Sequence, residues 1–409
     1  MNVPFFRYEF DPEALAAIEE CLRSGWLTTG PKTKEFEKRF AEAVSNGETI
    51  HAVAVNSCTA ALHLALEAVG VKRGDLVVVP TMTFAATAEV VRYFDAIPVF
   101  VDADPVTLSL STLHLEEVMK TIADGGKVPG PVTRGRRLRA VIPVHYGGRP
   151  CDLGKVNVLA ARYGCDVIED AAHAFPAAFS ENGSLKKIGG GTSRITCFSF
   201  YANKTITTGE GGMATTTEPL LAERMRLMSL HGMDRDPWNR YAKSGTWDYR
   251  LVAPGFKYNL TDIASAIGLS QLEKAERFRA ARQAIAERYD RFFADLEEIE
   301  TPPRSDDVVD AHHLYVIKLR PAAMAIDRAR FIEEMRARGV VCSVHWRPLH
   351  MHPYYVETYG YAPGDYPQAA AAWERIVSLP LFPSMTEEEI EVVITAVQEV
   401  VRRFRSKGR

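Results

Sequence analysis

VIEDAAHA, residues 167–174, ends a short apolar run on two consecutive carboxylates and follows them with a histidine. Burying a carboxylate costs free energy unless a cation or a strong donor pairs with it, so an acid kept at the end of such a run needs a partner. The run is one of six: HAVAV (51–55), DLVVVP (75–80), IPVFVD (97–102), RAVIPVHY (139–146), CDVIED (165–170) and ITCFSF (195–200). Their scarcity of polar residues predicts strands covered on both faces. Helical stretches lie between them: TAALHLALEAVG ending at Gly70, ATAEVVRYFDA, STLHLEEVMKTIAD, and LGKVNVLAARYG ending at Gly164, glycine being the usual residue just past a helix C-terminus. Strands alternating with helices predict an α/β fold with a mostly parallel sheet flanked by helices and right-handed crossovers. Ligands gather at the carboxyl ends of the strands in such sheets.

After about residue 264 the pattern changes. ASAIGLSQLEKAERFRAARQAIAERYDRFFADLEEI keeps helical spacing for more than about six turns and predicts a bridge to a second domain. The expected division is 1–264 for a large α/β domain with its N-terminal segment and 265–409 for the bridging helix and a smaller α+β domain. HHLYVIKL and VVCSVHW read as strands of the smaller unit, and TEEEIEVVITAVQEVVRRF as a closing helix with its acids first and its bases last, as the helix dipole prefers. Residues 178–194 and the polar stretch 233–253 are the long irregular pieces, and so candidates for active-site or interface loops.

The 409 residues are 46% hydrophobic and 25% charged, the balance of a folded chain and not of a disordered one. A formal net charge of −3 gives no electrostatic pull toward nucleic acid or an anionic membrane. The basic clusters Arg134, Arg136, Arg137, Arg139 and Arg402, Arg403, Arg405, Lys407, Arg409 read as solvated faces. No secretory signal opens the chain and no stretch approaches the roughly 18 apolar residues of a membrane span, so a cytoplasmic protein is expected. Six cysteines without a C-x-x-C pairing suit reduced thiols.

The chemistry collects after the strands. In VNSCTAA (55–61) a strand turns into a helix at Ser57, Cys58 and Thr59, a start that either binds an anion such as phosphate or is an ordinary N-cap. Phe84 in PTMTFAATA either stacks on a flat ring or belongs to the core, and VHYGGRPCD sets His145 and Asp152 around a glycine turn. SFYANKTITTGEGGMATT (199–216) holds Lys204 among small polar residues and glycines. A lysine that forms a Schiff base with an aldehyde cofactor can hold, release and reprotonate what is bound there. Pyridoxal 5'-phosphate uses all of these features: phosphate on the 57–59 helix start, ring on Phe84, pyridinium nitrogen on Asp170, aldehyde on Lys204. Rival motifs fail. No glycine directly precedes Lys204, so this is not a Walker A loop; G-x-G-x-x-G is absent from the first strand–helix turn; and HWRPLHMH (345–352) lacks the spacing of a zinc site, so no metal is expected.

SGWLTTGPKTKEFEKRF, NSCTAALHLAL, VHYGGRPCD, VIEDAAHAFPA, FSFYANKTITTGEGGM, PGFKYNLTDIASAIGLSQL and SLPLFP, in this order, resemble the DegT/DnrJ/EryC1/StrS family of sugar aminotransferases over nearly the whole chain. The resemblance implies the fold type I of pyridoxal phosphate enzymes, with Lys204 as the Schiff-base lysine, Asp170 on the pyridine nitrogen, Phe84 on the ring and His173 near the ring oxygen. Many members have glutamine where this chain has His173. Cys58, Thr59 and Ser199 would contact the phosphate, and Asn259 would reach it from the partner subunit, making the active site a property of a homodimer. A branch of sugar 3-dehydratases has histidine at the lysine position, so Lys204 favours transamination.

The motif set is most similar to enzymes that aminate C4 of a nucleotide-linked 4-keto sugar, the UDP-4-amino-4-deoxy-L-arabinose aminotransferases in particular. Amination at C3, or of a GDP- or dTDP-linked sugar, is the alternative. The expected reaction is a ping-pong transfer from glutamate, with the cofactor passing through its pyridoxamine form and Lys204 as general base and acid. Candidate substrate contacts are Thr28 and Thr29 of GWLTTG, His312 or His313, and His345 or Arg347. A non-catalytic sensor of the sugar nucleotide or cofactor has no need of Lys204 and Asp170 together, which favours an enzyme.

Overall fold

The computed structural model describes residues 1–233 and 250–406. Most of the stretch 233–253, and Lys407 and Arg409 of the C-terminal basic cluster, lie outside the described residues.

Nine strands are labelled first: β1 His51–Val55, β2 Leu76–Pro80, β3 Ile97–Val101, β4 Leu138–Val141, β5 Asp166–Asp170, β6 Ala178–Glu181, β7 Ser184–Lys187, β8 Ile195–Ser199 and β9 Gly212–Thr216. Seven of them form one sheet in the order β1-β9-β8-β5-β4-β2-β3, in which β9 runs antiparallel to both neighbours and the other pairings are parallel. Alternate residues explain why it is covered twice. Val77, Val79, Ala140 and Ile168 face a core shared with helix Cys58–Ala68, whereas Leu76, Val78, Val141 and Val167 face helices Thr112–Ala123 and Leu153–Arg162. Full burial of each such aliphatic side chain contributes about 1.5–3 kcal/mol. This is the α/β arrangement expected from the sequence, a mostly parallel sheet with helices on both faces.

The remaining strands are β10 Ile299–Glu300, β11 Val308–Val309, β12 Tyr315–Leu319 and β13 Ile376–Leu379. A three-stranded sheet, β10-β12-β13, is backed by helix Glu387–Phe404, whose Thr386 and Glu389 close a reciprocal capping box. Val3 sits in this core too, bridged to Val340.

The structure differs from the sequence reading at several points. VVCSVHW forms no named strand: Val340 and Ser343 make single bridges, to Val3 and Ser378. RAVIPVHY is a strand only as far as Val141, because Pro143 has no N–H to donate. Residues 178–194 carry the hairpin β6–β7, to which β11 adds. The long amphipathic segment is two helices, Asp262–Glu273 and Ala275–Phe293, joined at Lys274. The first packs under helices Pro12–Ser24 and Pro31–Val44, and Lys274 Nζ is pinned by Asp11 and Glu13 at 2.6 and 2.5 Å.

Candidate active site

The carboxyl ends of β1, β2, β4, β5 and β8 open onto one cleft of about 490 Å³. Cys58, Thr59, Phe84, Asp170, His173, Ser199, Lys204, His313 and His345 line it, together with Thr83, Tyr201, Glu210 and Trp346. Each arrives by short local logic. Ser57 caps helix Cys58–Ala68 by accepting from the amide of Ala60 at 3.1 Å, which leaves the first-turn amides of Cys58 and Thr59 without intrahelical acceptors, at the positive end of the helix. β9 passes close behind. A Cβ at Gly212 would lie 2.5 Å from the Ser57 carbonyl carbon and 2.6 Å from the Cys58 nitrogen, so only glycine lets this strand approach the helix start.

The two carboxylates of VIEDAAHA have opposite fates because successive residues of a strand face opposite sides. Glu169 is turned inward, where His145 Nε2 lies 2.9 Å from its Oε2, with neither side chain exposed, and the hydroxyls of Thr196 and Thr192 donate to Oε1 at 3.0 and 3.3 Å. The Cys151 amide donates to His145 Nδ1, so this imidazole carries its proton on Nε2 and donates it to Glu169. Asp170 faces the cleft. Thr87 Oγ1 donates to its Oδ2 at 2.8 Å and the Ala172 amide to its Oδ1 at 3.1 Å. Since Thr87 spends its proton on Asp170, Thr83, 2.7 Å away, donates to Thr87. Burial raises the Asp170 pKa in spite of these donors and the nearby Lys204.

Lys204 is the cation opposite. Burial lowers its pKa to about 8, against the pull of Asp170, and among the described residues no carboxylate forms an ion pair with it. Three histidines wall the cleft. The rings of His173 and His313 lie 4.1 Å apart between centroids, each with an Nδ1 that has no partner, and His173 stacks on Trp346 at 5.1 Å. Burial and the charge of Lys204 hold His173 and His345 neutral, the latter lowered to about 4, and burial does the same for His313. His345 Nδ1 is tied to Ser378 Oγ at 2.7 Å.

Other sequence-selected residues lie elsewhere. Asn259 does not line the cleft of its own chain; its Nδ2 donates to Thr29 at 2.7 Å and to Thr28 at 3.4 Å, so these three form a separate cluster. His312 turns to a second pocket, of about 430 Å³, beside Arg304, and Arg347 is exposed outside the cleft lining. Thr87 and Trp346 were not among the selected residues: a threonine flanked by alanines reads as helix filler, and nothing in the spacing brings residue 346 to residue 173.

The donor set fits pyridoxal phosphate. Both Asp170 oxygens retain lone pairs for a protonated ring nitrogen, the 58–59 amides offer donors to a phosphate, the Phe84 ring is 60% exposed, and His173 Nδ1 is unpartnered. Among the described residues no three His, Cys, Asp or Glu side chains are grouped to hold a metal, and no helix is long and apolar enough to cross a membrane.

Fold and cleft together define a pyridoxal phosphate-dependent aminotransferase of fold type I. The chain matches the DegT/DnrJ/EryC1/StrS aminotransferase family over residues 9–398 and belongs to that family of sugar aminotransferases. It is 39% identical to the spore coat polysaccharide biosynthesis protein SpsC of Bacillus subtilis, covering 95% of both chains. Among solved structures it is similar to Spr1654 of Streptococcus pneumoniae, known in PLP and PMP forms, with a TM-score of 0.85, 29% identity and coverage of 98% of this chain and 99% of the PLP-form chain. Helicobacter pylori PseC, an aminotransferase involved in the biosynthesis of pseudoaminic acid, superimposes with a TM-score of 0.85 at 26% identity, covering 99% of this chain and 100% of its own.

The Thr83–Thr87–Asp170 chain carries a prediction. Thr87→Val keeps the shape and removes one donor from the carboxylate, and loss of a hydrogen bond to a charged group is expected to weaken pyridoxal phosphate binding by about 10-fold or more. Fluorescence titration of the cofactor-free protein reads this directly.

Proposed function

We propose that this aminotransferase moves an amino group from L-glutamate to the C4 keto carbon of a nucleotide-linked keto sugar, a UDP-linked 4-keto pentose in the first instance, by a ping-pong reaction. The observation that supports it best is one cleft lined by Lys204, Asp170 and the first turn of helix Cys58–Ala68. Bound pyridoxal phosphate supplies an electrophilic carbon and a ring that accepts electrons. The remaining work belongs to the chain. The helix start, with Ser199, binds the phosphate, and the exposed face of Phe84 orients the ring. Asp170 holds the proton on the ring nitrogen. Lys204 Nζ, with a pKa near 8, accepts the proton from the α-carbon of the donor and returns it on the other side of the reaction, a role that suits a group titrating near the working pH. His173 directs its free nitrogen to the ring oxygen.

A homodimer belongs to the same reading, with Asn259 of a second copy completing the phosphate site, Thr28 and Thr29 beside it acting from that same copy, and His313 and His345, the members of their pairs that line the cleft, as sugar-nucleotide contacts. So does the division at 264/265 into a cofactor-binding domain and a small domain. The test is a panel of UDP-, GDP- and dTDP-linked 4-keto and 3-keto sugars with L-glutamate as donor, the product amine located by NMR. Turnover of the UDP-linked 4-keto pentose at a kcat/KM at least about 10-fold above the others is the expected result. A preference for a 3-keto sugar or for another nucleotide overturns the assignment of carbon or base.

A further inference from the structure

SLPLFP, residues 378–383, has no part in the reaction as described, yet its backbone lies where two of the cleft histidines are anchored. Ser378 Oγ holds His345 Nδ1, and Ser378 exchanges two main-chain hydrogen bonds with Ser343, at 2.8 and 3.0 Å. The other anchor comes from helix Ala275–Phe293. Arg282, 3% exposed, directs Nη1 at three carbonyl oxygens: Leu381 at 2.6 Å, His313 at 3.3 Å and His312 at 3.4 Å. Two turns along the same helix, the Tyr289 hydroxyl donates to the Pro380 carbonyl at 3.0 Å. Among the described residues no carboxylate forms an ion pair with Arg282, and its Nε has no acceptor. A buried cation without an anion is costly, and a core that needed only packing would be served by an apolar side chain.

We propose that Arg282 is a positioning residue for the cleft: its guanidinium clamps the main chain at 312–313 to the strap at Leu381 and so sets the His313 ring beside His173. The rigid fork of arginine suits the task because it reaches carbonyls on two separate segments at once, which a lysine ammonium on a flexible stem does less well. The clamp leaves its positive charge unneutralised, and that charge adds to burial in lowering the pKa of Lys204. Asp170 at the end of β5 and Cys58 on helix Cys58–Ala68 pull the other way, and His173, Glu210, His313 and His345 are the remaining titratable side chains that line the same cleft.

The test uses the full-length chain freed of cofactor, with diethyl pyrocarbonate as probe and the modified histidines located by peptide mass spectrometry. Arg282→Lys keeps the charge and loses the fork. His313 is expected to react about 10-fold faster in it than in wild type, the effect of a local opening made about ten times more populated. His145 and His350, both 0% exposed, stay protected. Arg282→Met removes the charge as well, and the pH midpoint for acetylation of Lys204 by acetic anhydride is expected to rise; Arg282→Lys leaves it in place. Unchanged His313 reactivity in Arg282→Lys overturns the proposal, as does faster reaction of all three histidines together, which marks general loosening. Should the methionine variant fail to fold, the lysine variant decides alone. The value of the clamp for amino transfer rests on the function proposed above, but neither readout needs turnover, so failure of one is distinguishable from failure of the other.

Discussion

Replacing Lys204 by alanine is expected to lower amino transfer by about 10⁴-fold or more while leaving a folded protein that still binds pyridoxal phosphate. The size of the effect follows from what surrounds the amine. Lys204 is the one group in the cleft lining that is both nucleophilic and tuned near neutral pH, with a pKa of about 8. The three imidazoles beside it cannot take over its proton transfers. His345 is lowered to about 4, and His173 and His313 also lie well below the ordinary histidine value because they are buried, so none of them gains a proton readily at pH 7 to 8. Asp170 is committed to Thr87 and Ala172, and in the proposed mode of cofactor binding it is taken up by the ring nitrogen. The measurement is a single-turnover absorbance experiment: wild type loaded with cofactor converts it to the pyridoxamine form, with release of 2-oxoglutarate, on addition of L-glutamate, and the variant does not. Binding survives because the helix start at Cys58–Thr59, the Phe84 face and Asp170 are untouched. A variant that turned over glutamate within about 10-fold of wild type would remove Lys204 from the mechanism.

How far this site could be read beforehand depends on which residues carry their information locally. The strands of the main sheet are buried on both faces, so β2 and β3 are near-continuous apolar runs that no surface element imitates. The residues just past their ends then follow from the general rule for parallel sheets. VVCSVHW has the same composition as those strands but makes only one bridge at Val340 and another at Ser343, and a segment that zigzags between two partners cannot be told from a paired strand by hydrophobicity. The hairpin β6–β7 fails in the opposite direction: its burial is slight, so it carries almost no alternation. Lys274 breaks a helix for a tertiary reason, the pull of Asp11 and Glu13 more than 250 positions away in sequence. Arg282 on the following helix reads as one more solvated cation in a stripe of arginines, although it is almost fully buried. Of the adjacent histidines, His313 and not His312 lines the cleft, a choice made by a backbone turn at His312, where φ is +50°.

Asp170→Asn is expected to separate stability from activity. The substitution keeps shape and hydrogen bonding, because the amide oxygen can take the Ala172 N–H while the amide NH₂ donates to Thr87, whose hydroxyl turns round to donate to Thr83. Only the charge is lost. In the cofactor-free protein that charge is a burden: burial raises the Asp170 pKa above its ordinary 3.8, so the folded chain binds this proton more tightly than the unfolded chain. Stability therefore falls as pH rises from the ordinary carboxyl range through the raised value, and above that value wild type carries the whole cost. Cofactor-free Asp170→Asn is expected to melt above wild type at pH 7 to 8, by on the order of 1–3 °C, and the gap should close as the pH is lowered toward 4. Adding pyridoxal phosphate reverses the order, because a protonated ring nitrogen gives the wild-type carboxylate its partner and gives asparagine none. The cofactor should raise the wild-type Tm more than that of the variant, and kcat in Asp170→Asn should fall by about 10²- to 10³-fold, the scale of losing one preorganised charge from an active site. Differential scanning fluorimetry across pH, with and without cofactor, reads the first pair of effects and steady-state kinetics the last. A variant less stable than wild type without cofactor, and equally stabilised by it, would mean that Asp170 is paired within the protein and does not wait for a cation from outside.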